Sequence, residues 1–428
     1  MKNTTRRHFI KTSGAAALGT SLAMNIVIPG TSYAMNSDTL KVGLIGAGGR
    51  GTGAANQALH ADKNVVLTHL TDIFEDRVEQ SISNLKKEFG DRVKVDKSTS
   101  FTGFDGAQKI MESDVDVVIL TTPPCYRPKH LEMAINAGKH VFCEKPMAVD
   151  APGVRRIIEA AKKAKEKNLS LMSGFCWRYH TPKRATFQKV LDGAIGDVQT
   201  VYNTYNTGAL WLRDVQPEWS DMKKKLRNWL YYNYLSGDHI VEQAIHSIDM
   251  MSWAFGDAKP VSATGTGGRQ SRIQPEYGNI FDHFAIVYEY EKGVKGFHFS
   301  RQQKDCSNSY AVDIMGSKGR CLVDCIRDRH TITGAENWRY QGEDNDMYQQ
   351  EHDELFAAIR SGKPVNDGDR MAQSTMLGIM ARMVAYTGQT ITYDEALNSQ
   401  EILAPDDIND STVLQDPPVA QPGITKFI

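Results

Sequence analysis

The sequence lacks an excess of charge of either sign, and this absence bears on the class of partner. Lysine and arginine together number 50, aspartate and glutamate number 51, and the formal net charge at pH 7 is −1. A protein without a basic excess has no net charge with which to attract a phosphate backbone. The composition therefore argues against nucleic acid as a partner.

The sequence also lacks C-x-x-C pairs and long apolar runs. Its cysteines are six in number, and an even count in an exported protein leaves disulfides open. Cys143 and Cys176 lie in apolar, strand-like segments, where free buried thiols are common, and Cys321 and Cys325 form the only close pair. Because no stretch approaches the ~20 apolar residues of a membrane-spanning helix, we expect no membrane anchor after the leader is removed.

The first 34 residues have the features of an export leader. Arg6 and Arg7 precede a mildly apolar stretch, and the small residues Ser32 and Ala34 follow it. We interpret residues 1–34 as a twin-arginine signal that is cut after Ala34, which predicts a periplasmic or otherwise exported protein. A disordered basic tail, or a Sec signal with a chance arginine pair, is the alternative.

The remaining chain of about 394 residues predicts two domains. From 38 to 180, short apolar runs alternate with helical patterns, which is typical of a doubly wound parallel sheet. The segment Leu40–Leu59 predicts a strand, a glycine-rich turn and a helix. Gly46, Gly48 and Gly51 give the spacing G-x-G-x-x-G, which allows a tight turn, an approach to a pyrophosphate and close helix packing.

The second apolar strand ends in an acidic residue that indicates the cofactor. Asp72 comes 21 positions after Gly51. A carboxylate there binds the adenosine ribose 2′-hydroxyl and repels a 2′-phosphate, so NAD is favoured over NADP. A strand–helix–strand unit without ligand is the alternative.

The second half of the chain has a different pattern. From 181 to 398, strands alternate apolar and polar residues, which predicts an open, mostly antiparallel sheet, and two helical patterns follow. The first domain is therefore expected to be a Rossmann fold and the second an α+β domain. Residues 399–428 contain several prolines, so we expect an extended C-terminal arm.

Several motifs together resemble the Gfo/Idh/MocA oxidoreductases, named for glucose–fructose oxidoreductase and inositol dehydrogenase. They are the glycine-rich turn, "TPP" at a strand end, "AGKHVFCEKP" (Ala137–Pro146), "DGAIGDV" (Asp192–Val198) and "IHSIDMMSWAFG" (Ile245–Gly256). The resemblance implies a nicotinamide-dependent enzyme that acts on a carbohydrate, with a homodimer or homotetramer formed through the second sheet.

The resemblance also implies roles for individual residues. Lys145 would stabilise the alkoxide as hydride leaves, and the bond before Pro146 would be cis. His246, expected to have a pKa near 6–7, would remove the hydroxyl proton, and Glu242, on the same face of one predicted helix, would orient the substrate or share the proton path. The expected cofactor contacts are Gly46, Gly48, Gly49, Arg50, Gly51, Asp72, Thr122, Pro123, His130, Glu144 and Lys145. The expected substrate contacts are Trp177, Arg178, Tyr179 and Trp229.

A metal site made of His239, Glu242 and His246 is the less favoured interpretation of this helix. The two histidines are seven positions apart, roughly 10.5 Å along a helix, which is too far for one ion to bind both easily. We therefore expect no metal.

Three functions remain open. The first is a carbohydrate dehydrogenase or sugar–sugar oxidoreductase that retains its NAD, since an exported enzyme could not exchange NADH. The second is a redox-neutral glycoside hydrolase that oxidises, eliminates, hydrates and re-reduces; against it, the histidine lies in "IHSID" and not in that branch's tyrosine–histidine segment. The third is a non-catalytic sugar-binding protein on a Rossmann scaffold.

Overall fold

The computed structural model describes residues 39–428. The predicted export signal, at residues 1–34, lies outside the described residues. Within residues 39–428, no helix combines the length and the apolar character that crossing a membrane requires. All six cysteines are free thiols.

The first sheet has six parallel strands in the order β3-β2-β1-β4-β5-β6, as predicted for a doubly wound fold. Its central strands are buried on both faces because helices pack on each side. The strands are β1 (Leu40–Ile45), β2 (Val65–Asp72), β3 (Ser100–Thr102), β4 (Val117–Leu120), β5 (His140–Cys143) and β6 (Leu171–Ser173). The helices are α1 (Gly49–Ala61), α2 (Glu75–Phe89), α3 (Gly106–Met111), α4 (Arg127–Asn136) and α5 (Ala151–Glu166).

The last strand of this sheet is shorter than its composition predicts. The stretch "LSLMSGFCWRY" has the apolar character of one strand, but β6 ends at Ser173 and Cys176–Tyr179 forms a 3-10 turn. Gly174 permits the departure, since a Cβ there would come within 2.7 Å of the Glu144 carboxylate. Tertiary packing therefore overrides local propensity at this point.

The second sheet has nine strands in the order β14-β13-β12-β11-β7-β10-β9-β8-β15. Every pairing is antiparallel except that of β7 with β10, which confirms a mostly antiparallel sheet. The strands are β7 (Val198–Thr207), β8 (Ser262–Gly268), β9 (His283–Glu289), β10 (Lys295–Gln302), β11 (Ser309–Gly316), β12 (Gly319–Asp324), β13 (Arg329–Gly334), β14 (Trp338–Arg339) and β15 (Ile391–Thr392).

Eight helices follow residue 180 in the described part of the chain. They are α6 (Thr181–Leu191), α7 (Asp221–Arg227), α8 (Asn233–Ser236), α9 (His239–Glu242), α10 (Ile245–Ala254), α11 (Met347–Ser361), α12 (Gly368–Thr387) and α13 (Tyr393–Asn398). The long helices α11 and α12 match the two helical patterns near the C-terminus. Residues 399–428 then run without helix or strand, and Leu403 N donates to Asp150 Oδ2 at 3.0 Å.

The helix predicted across 236–256 is in fact two helices. Helix α9 ends at Glu242, and α10 begins at Ile245. The amide of His246 bonds the carbonyl of Gln243 at 3.4 Å, so the carbonyl of Glu242 is not used by the residue four positions on. That carbonyl can accept a hydrogen bond from elsewhere, which matters for the site below.

Candidate active site

The turn between β1 and α1 has the backbone that a phosphate site needs. Gly46 has φ +98°, and a Cβ there would lie 2.8 Å from the carbonyl carbon of Thr121. A Cβ on Gly51 would lie 1.8 Å from the oxygen of Gly46, so both positions require glycine. Gly48 is open, because a Cβ there would meet its nearest neighbour, a side-chain nitrogen, only at 4.0 Å, and it precedes the first turn of α1. A pyrophosphate can therefore approach the helix N-terminus.

Asp72 is fixed at the end of β2 by the backbone around it. Its Oδ2 accepts from Ala47 N at 2.8 Å and its Oδ1 from Phe74 N at 3.0 Å. Burial raises the pKa of this carboxyl, and Arg77, whose guanidinium lies 3.8 Å away, opposes that rise. Each carboxylate oxygen keeps a lone pair for a ribose hydroxyl.

A cavity of about 670 Å³ runs along this edge of the sheet, a size typical of cofactor sites. It brings together nine of the predicted cofactor contacts, namely Gly46, Gly48, Gly49, Arg50, Gly51, Asp72, Thr122, Pro123 and His130. The residues present thus fit a dinucleotide. Glu144 and Lys145 do not line this cavity, and they follow β5, the strand next to β4.

His130 lines the cavity from α4, the helix that follows β4. Burial lowers its pKa to about 4, so the ring is neutral near pH 7. Its Nδ1 lies 3.3 Å from Oγ1 of Thr122, and its ring stacks on Tyr126 with centroids 5.6 Å apart. A neutral, packed imidazole is suited to shaping the cavity.

Arg50 connects the glycine-rich turn to the loop after β5. Its guanidinium contacts the carboxylate of Glu144, and a second nitrogen lies 2.8 Å from Glu351 on α11. Glu144 Oε2 in turn accepts from the backbone amide of Lys145 at 3.1 Å. The motifs indicated Glu144 and Arg50 as cofactor contacts but gave no sign of Glu351, because 301 residues separate it from Arg50.

Lys145 and Glu242 are in contact, whereas the expectation that one continuous helix presents Glu242 and His246 on the same face is wrong. Lys145 Nζ donates to the carbonyl oxygen of Glu242 at 2.5 Å and lies 3.3 Å from its Oε1. The break between α9 and α10 supplies that carbonyl. The peptide bond between Lys145 and Pro146 is cis, which confirms the prediction.

His246 packs against aromatic rings, and the charge of Lys145 acts on its imidazole. Its ring centroid is 5.1 Å from that of Trp177 and 6.3 Å from that of Phe175. Its Nδ1 is buried and has no hydrogen-bond partner within residues 39–428. Burial, with the charge of Lys145 next in size, holds its pKa well below 6.5, so the expectation of a pKa near 6–7 is wrong. The imidazole is neutral near pH 7 and can accept a proton.

Two of the predicted substrate contacts are structural. The guanidinium of Arg178 is buried and bonds Asp249 and Asp257 with distances of 2.6–3.1 Å, so it serves ion pairs within the protein and not a sugar. Tyr179 is only 3% exposed, and its hydroxyl donates to Asp367 at 2.7 Å. Both lie on the 3-10 turn after β6, whose side chains anchor the second domain.

The other two predicted substrate contacts lie in different places. Trp177 flanks His246, with Tyr205 6.3 Å beyond it, which is compatible with a substrate wall. Trp229 instead lines the cavity of Asp72, so the structure assigns it to the cofactor side. Tyr205 was missed because a half-buried strand tyrosine carries no sequence signal of its own.

His239 cannot serve as a ligand in the alternative metal site. His239 is fully buried, with Nδ1 3.2 Å from the carbonyl of Phe281 and Nε2 3.3 Å from Oγ of Ser300. Both ring nitrogens are therefore occupied within the core.

Comparison with known proteins agrees with this geometry. Residues 40–173 match the family described as "Oxidoreductase family, NAD-binding Rossmann fold", and residues 184–322 match the "GFO/IDH/MocA C-terminal domain". The chain belongs to the GFO/IDH/MocA oxidoreductase family. It is therefore an NAD-dependent oxidoreductase, and the glycine-rich turn and Asp72 lie within the NAD-binding match.

Three known proteins illustrate what the chain is similar to. Myo-inositol 2-dehydrogenase of Thermotoga maritima is 23% identical over 84% of this chain and 100% of its own. Alpha-N-acetylgalactosaminidase of Shewanella oneidensis is 26% identical over 54% of this chain and 51% of its own. The crystal structure of aldose-aldose oxidoreductase from Caulobacter crescentus, complexed with glycerol, shares the fold with a TM-score of 0.64 and 20% identity, over 83% of this chain and 99% of that one.

Proposed function

We propose that the protein oxidises a hydroxyl-bearing carbon of a sugar, polyol or glycoside while its NAD stays bound. The observation that carries this proposal is the contact of the Lys145 ammonium with the Glu242 carboxylate at 3.3 Å, together with the effect of the Lys145 charge on the pKa of His246. Bound NAD supplies the hydride acceptor, at C4 of the nicotinamide. The similarity to a myo-inositol 2-dehydrogenase supports a polyhydroxylated ring as the substrate class.

Each side chain has its own role in removing the hydroxyl proton and stabilising the oxygen that loses it. Neutral His246 takes the hydroxyl proton, because its lowered pKa leaves one ring nitrogen unprotonated. Lys145 donates to the oxygen that becomes negative, which is an electrostatic stabilisation present before the reaction begins. Glu242 holds the ammonium in place through its carbonyl and carboxylate. Trp177 offers an apolar face to the C–H side of a sugar.

The predicted leader shapes the second part of the proposal. We infer that the protein is exported with NAD already bound, and that the hydride returns to the product or passes to a second sugar. Free NADH could not be exchanged at a useful rate outside the cell. The twin-arginine pattern at Arg6 and Arg7 supports this inference, since that route carries folded proteins.

A second candidate is the redox-neutral hydrolysis of a glycoside. The 26% identity to an alpha-N-acetylgalactosaminidase over 252 residues supports it. The same lysine and histidine would serve, since oxidation and later reduction occur at one carbon. The two candidates differ in whether an aglycone is released.

We also propose a homodimer or homotetramer built on the outer face of the second sheet. Tyr202, Phe299 and Met315 are 43%, 36% and 45% exposed there, and the rings of Tyr202 and Phe299 are 5.4 Å apart. Exposed apolar clusters of this kind are typical of interfaces. Light scattering of wild type and Tyr202→Glu tests this, and a monomeric wild type would contradict it.

One experiment tests the catalytic proposal. Mature protein is denatured and the released nucleotide identified; native protein is then mixed with hexoses, inositols and nitrophenyl glycosides without added NAD. Reduction of bound nicotinamide by a sugar, lost by at least ~100-fold in Lys145→Ala, supports the dehydrogenase. Nitrophenol release supports the hydrolase. Unchanged turnover in Lys145→Ala would contradict both.

A further inference from the structure

The long connection between β7 and α8, residues 208–232, is called the insert here. It belongs to the second domain in sequence, yet five of its side chains line the NAD cavity. They are Trp211, Arg213, Leu226, Arg227 and Trp229. On the opposite wall of the same cavity are the glycine-rich turn, Asp72 and Arg77. The insert thus faces the half of the cavity where adenosine and pyrophosphate bind.

Specific contacts attach the insert to the first domain close to Asp72. Arg227 Nη2 lies 2.7 Å from Oδ2 of Asp76, in the first turn of α2. The guanidinium of Arg227 also lies 4.8 Å from the ring centroid of Phe74, and the ring of Trp219 packs on the same phenyl ring at 5.1 Å. These contacts follow β2 directly, so they hold the insert over the ribose end of the cavity.

The C-terminal arm supports the insert from the other side. Lys225 Nζ lies 3.0 Å from Oδ1 of Asp416, and the hydroxyl of Tyr234 donates to the same carboxylate at 2.8 Å. Ser220 Oγ donates to Asp410 at 2.7 Å. The insert is therefore fixed between the first domain and the arm, and it is not a free loop.

Within the insert, side chains fix the backbone at 210–213. Asn228 bonds the backbone N and O of Arg213, each at 2.8 Å, and the hydroxyl of Tyr231 donates to the carbonyl of Trp211 at 2.9 Å. Among residues 39–428, Arg213 has no carboxylate at salt-bridge distance, and its guanidinium lies 4.6 Å from the ring centroid of Trp211.

In this part of the cavity, the guanidinium of Arg213 is available to bind a ligand. Arg77 lies 3.8 Å from Asp72, and Arg227 is paired with Asp76. Arg213 also belongs to the lining and has no such partner among the described residues. A guanidinium suits the pyrophosphate of a dinucleotide, and indole rings suit the stacking of a base.

We propose that the insert is the second wall of the NAD site, in which Arg213 binds the pyrophosphate and Trp211 and Trp229 cover the adenosine half. The consequence is slow release of the cofactor. The inference rests on the proposed function at one point: a reaction that never exchanges its cofactor requires the NAD to stay bound. The chain therefore carries its own cofactor-retaining segment, contributed by the substrate domain.

Release of the cofactor can be measured without turnover. The holoprotein is loaded with NADH and mixed with excess NAD, and the loss of NADH fluorescence gives the dissociation rate. We expect Trp211→Ala combined with Arg213→Ala, and separately Arg213→Gln, to raise this rate at least tenfold. Leu212→Ala is the matched control, since Leu212 lies between the two, is 45% exposed and does not line the cavity. It should stay within twofold of wild type.

The affinity for ADP-ribose, a fragment of the cofactor, shows which half of the site the insert variants change. The affinity for ADP-ribose should fall by a similar factor in the insert variants and stay unchanged in Lys145→Ala, which alters the nicotinamide end. Dissociation rates within twofold of wild type in both insert variants, with unchanged unfolding temperatures, would overturn the inference while leaving the proposed function intact. A wild-type protein that binds neither NADH nor ADP-ribose would overturn both.

Discussion

Arg50 and Glu351 form an ion pair at 2.8 Å although 301 residues separate them in the chain. The same guanidinium contacts Glu144, which accepts a hydrogen bond from the amide of Lys145. Helix α11, near the end of the chain, is thereby connected to the catalytic loop through one arginine. Mutations on α11 can therefore reach Lys145 without touching a ligand.

Replacing Glu351 tests this connection. Burial raises the pKa of its carboxyl well above the ordinary range. Glu351→Ala should lower the free energy of unfolding by about 3 kcal/mol, because it leaves buried polar groups unpaired. Glu351→Gln keeps the shape and a carbonyl acceptor, so it should retain most of the stability and of kcat. Urea unfolding and steady-state kinetics measure both. Equal losses in the two variants would contradict the assignment.

The pH profile of oxidation should show that His246 is neutral. Its pKa is held well below 6.5, so the unprotonated form prevails as pH falls from 8 to 6. We expect kcat/KM to show no acid limb from this group above pH 6, and His246→Gln to lower kcat by roughly 100-fold. An acid limb at pH 6.5 or above that disappears in His246→Gln would show a raised pKa and contradict the structure.

Asp72 should set the preference for NAD. Its carboxylate lies 3.8 Å from Arg77, and Arg213 and Arg227 line the same cavity. Removing the carboxylate leaves a cationic pocket suited to a 2′-phosphate. Asp72→Ser should weaken the affinity for NAD about tenfold, because a hydrogen bond to the ribose is lost. It should shift the NADP-to-NAD affinity ratio by about 100-fold, because the 2′-phosphate then gains charge-assisted hydrogen bonds. Fluorescence titration with NADH and NADPH measures this. The exposed Asp91→Ser is the control.

Stability should fall in mild acid because buried histidines are neutral. Burial lowers the pKa of His130 to about 4 and that of His298 to about 3. The unfolded chain takes up these protons near pH 6.5, whereas the native protein resists until about pH 4. The unfolding free energy therefore decreases as pH falls through this window, by about 2 kcal/mol per histidine at pH 5.

Urea unfolding at pH 7.5 and pH 5, at a fixed NAD concentration, measures this decrease. His298→Gln should remove its share of the difference, whereas His60→Gln, at an exposed position, should not. A pH dependence that His298→Gln leaves unchanged would show that this ring is not the cause.

The sequence predicted the sheets and the glycine-rich turn better than the walls of the site. Gly46, Asp72 and Lys145 carry local patterns, because a tight turn, a strand end and a cis proline each constrain nearby residues. The one predicted helix around Glu242 is broken, and its carbonyl bonds Lys145, a partner 97 positions away. No periodicity within a segment reports such a contact.

The predicted substrate contacts show the same limit of prediction from local sequence patterns. Arg178 and Tyr179 lie next to Trp177 and share its aromatic and cationic setting, so the sequence assigned all three to the substrate. The 3-10 turn directs Arg178 to Asp249 and Tyr179 to Asp367, both in helical segments of the second domain or at their start. Which way each side chain points depends on that turn, and the apolar pattern had indicated a strand.

The parallel pairing of β7 with β10 has a consequence for how the chain is made. Strand β7 also pairs with β11, so both of its neighbours are synthesised about 90 residues or more after it. Neither contact can form as a hairpin while the ribosome is still producing the intervening segment, and such long-range pairings slow folding. The middle of the second sheet therefore cannot close until β11, which ends at Gly316, has been synthesised. Until its neighbours exist, the edges of β7 stay unpaired, and an unpaired strand edge can pair with another chain.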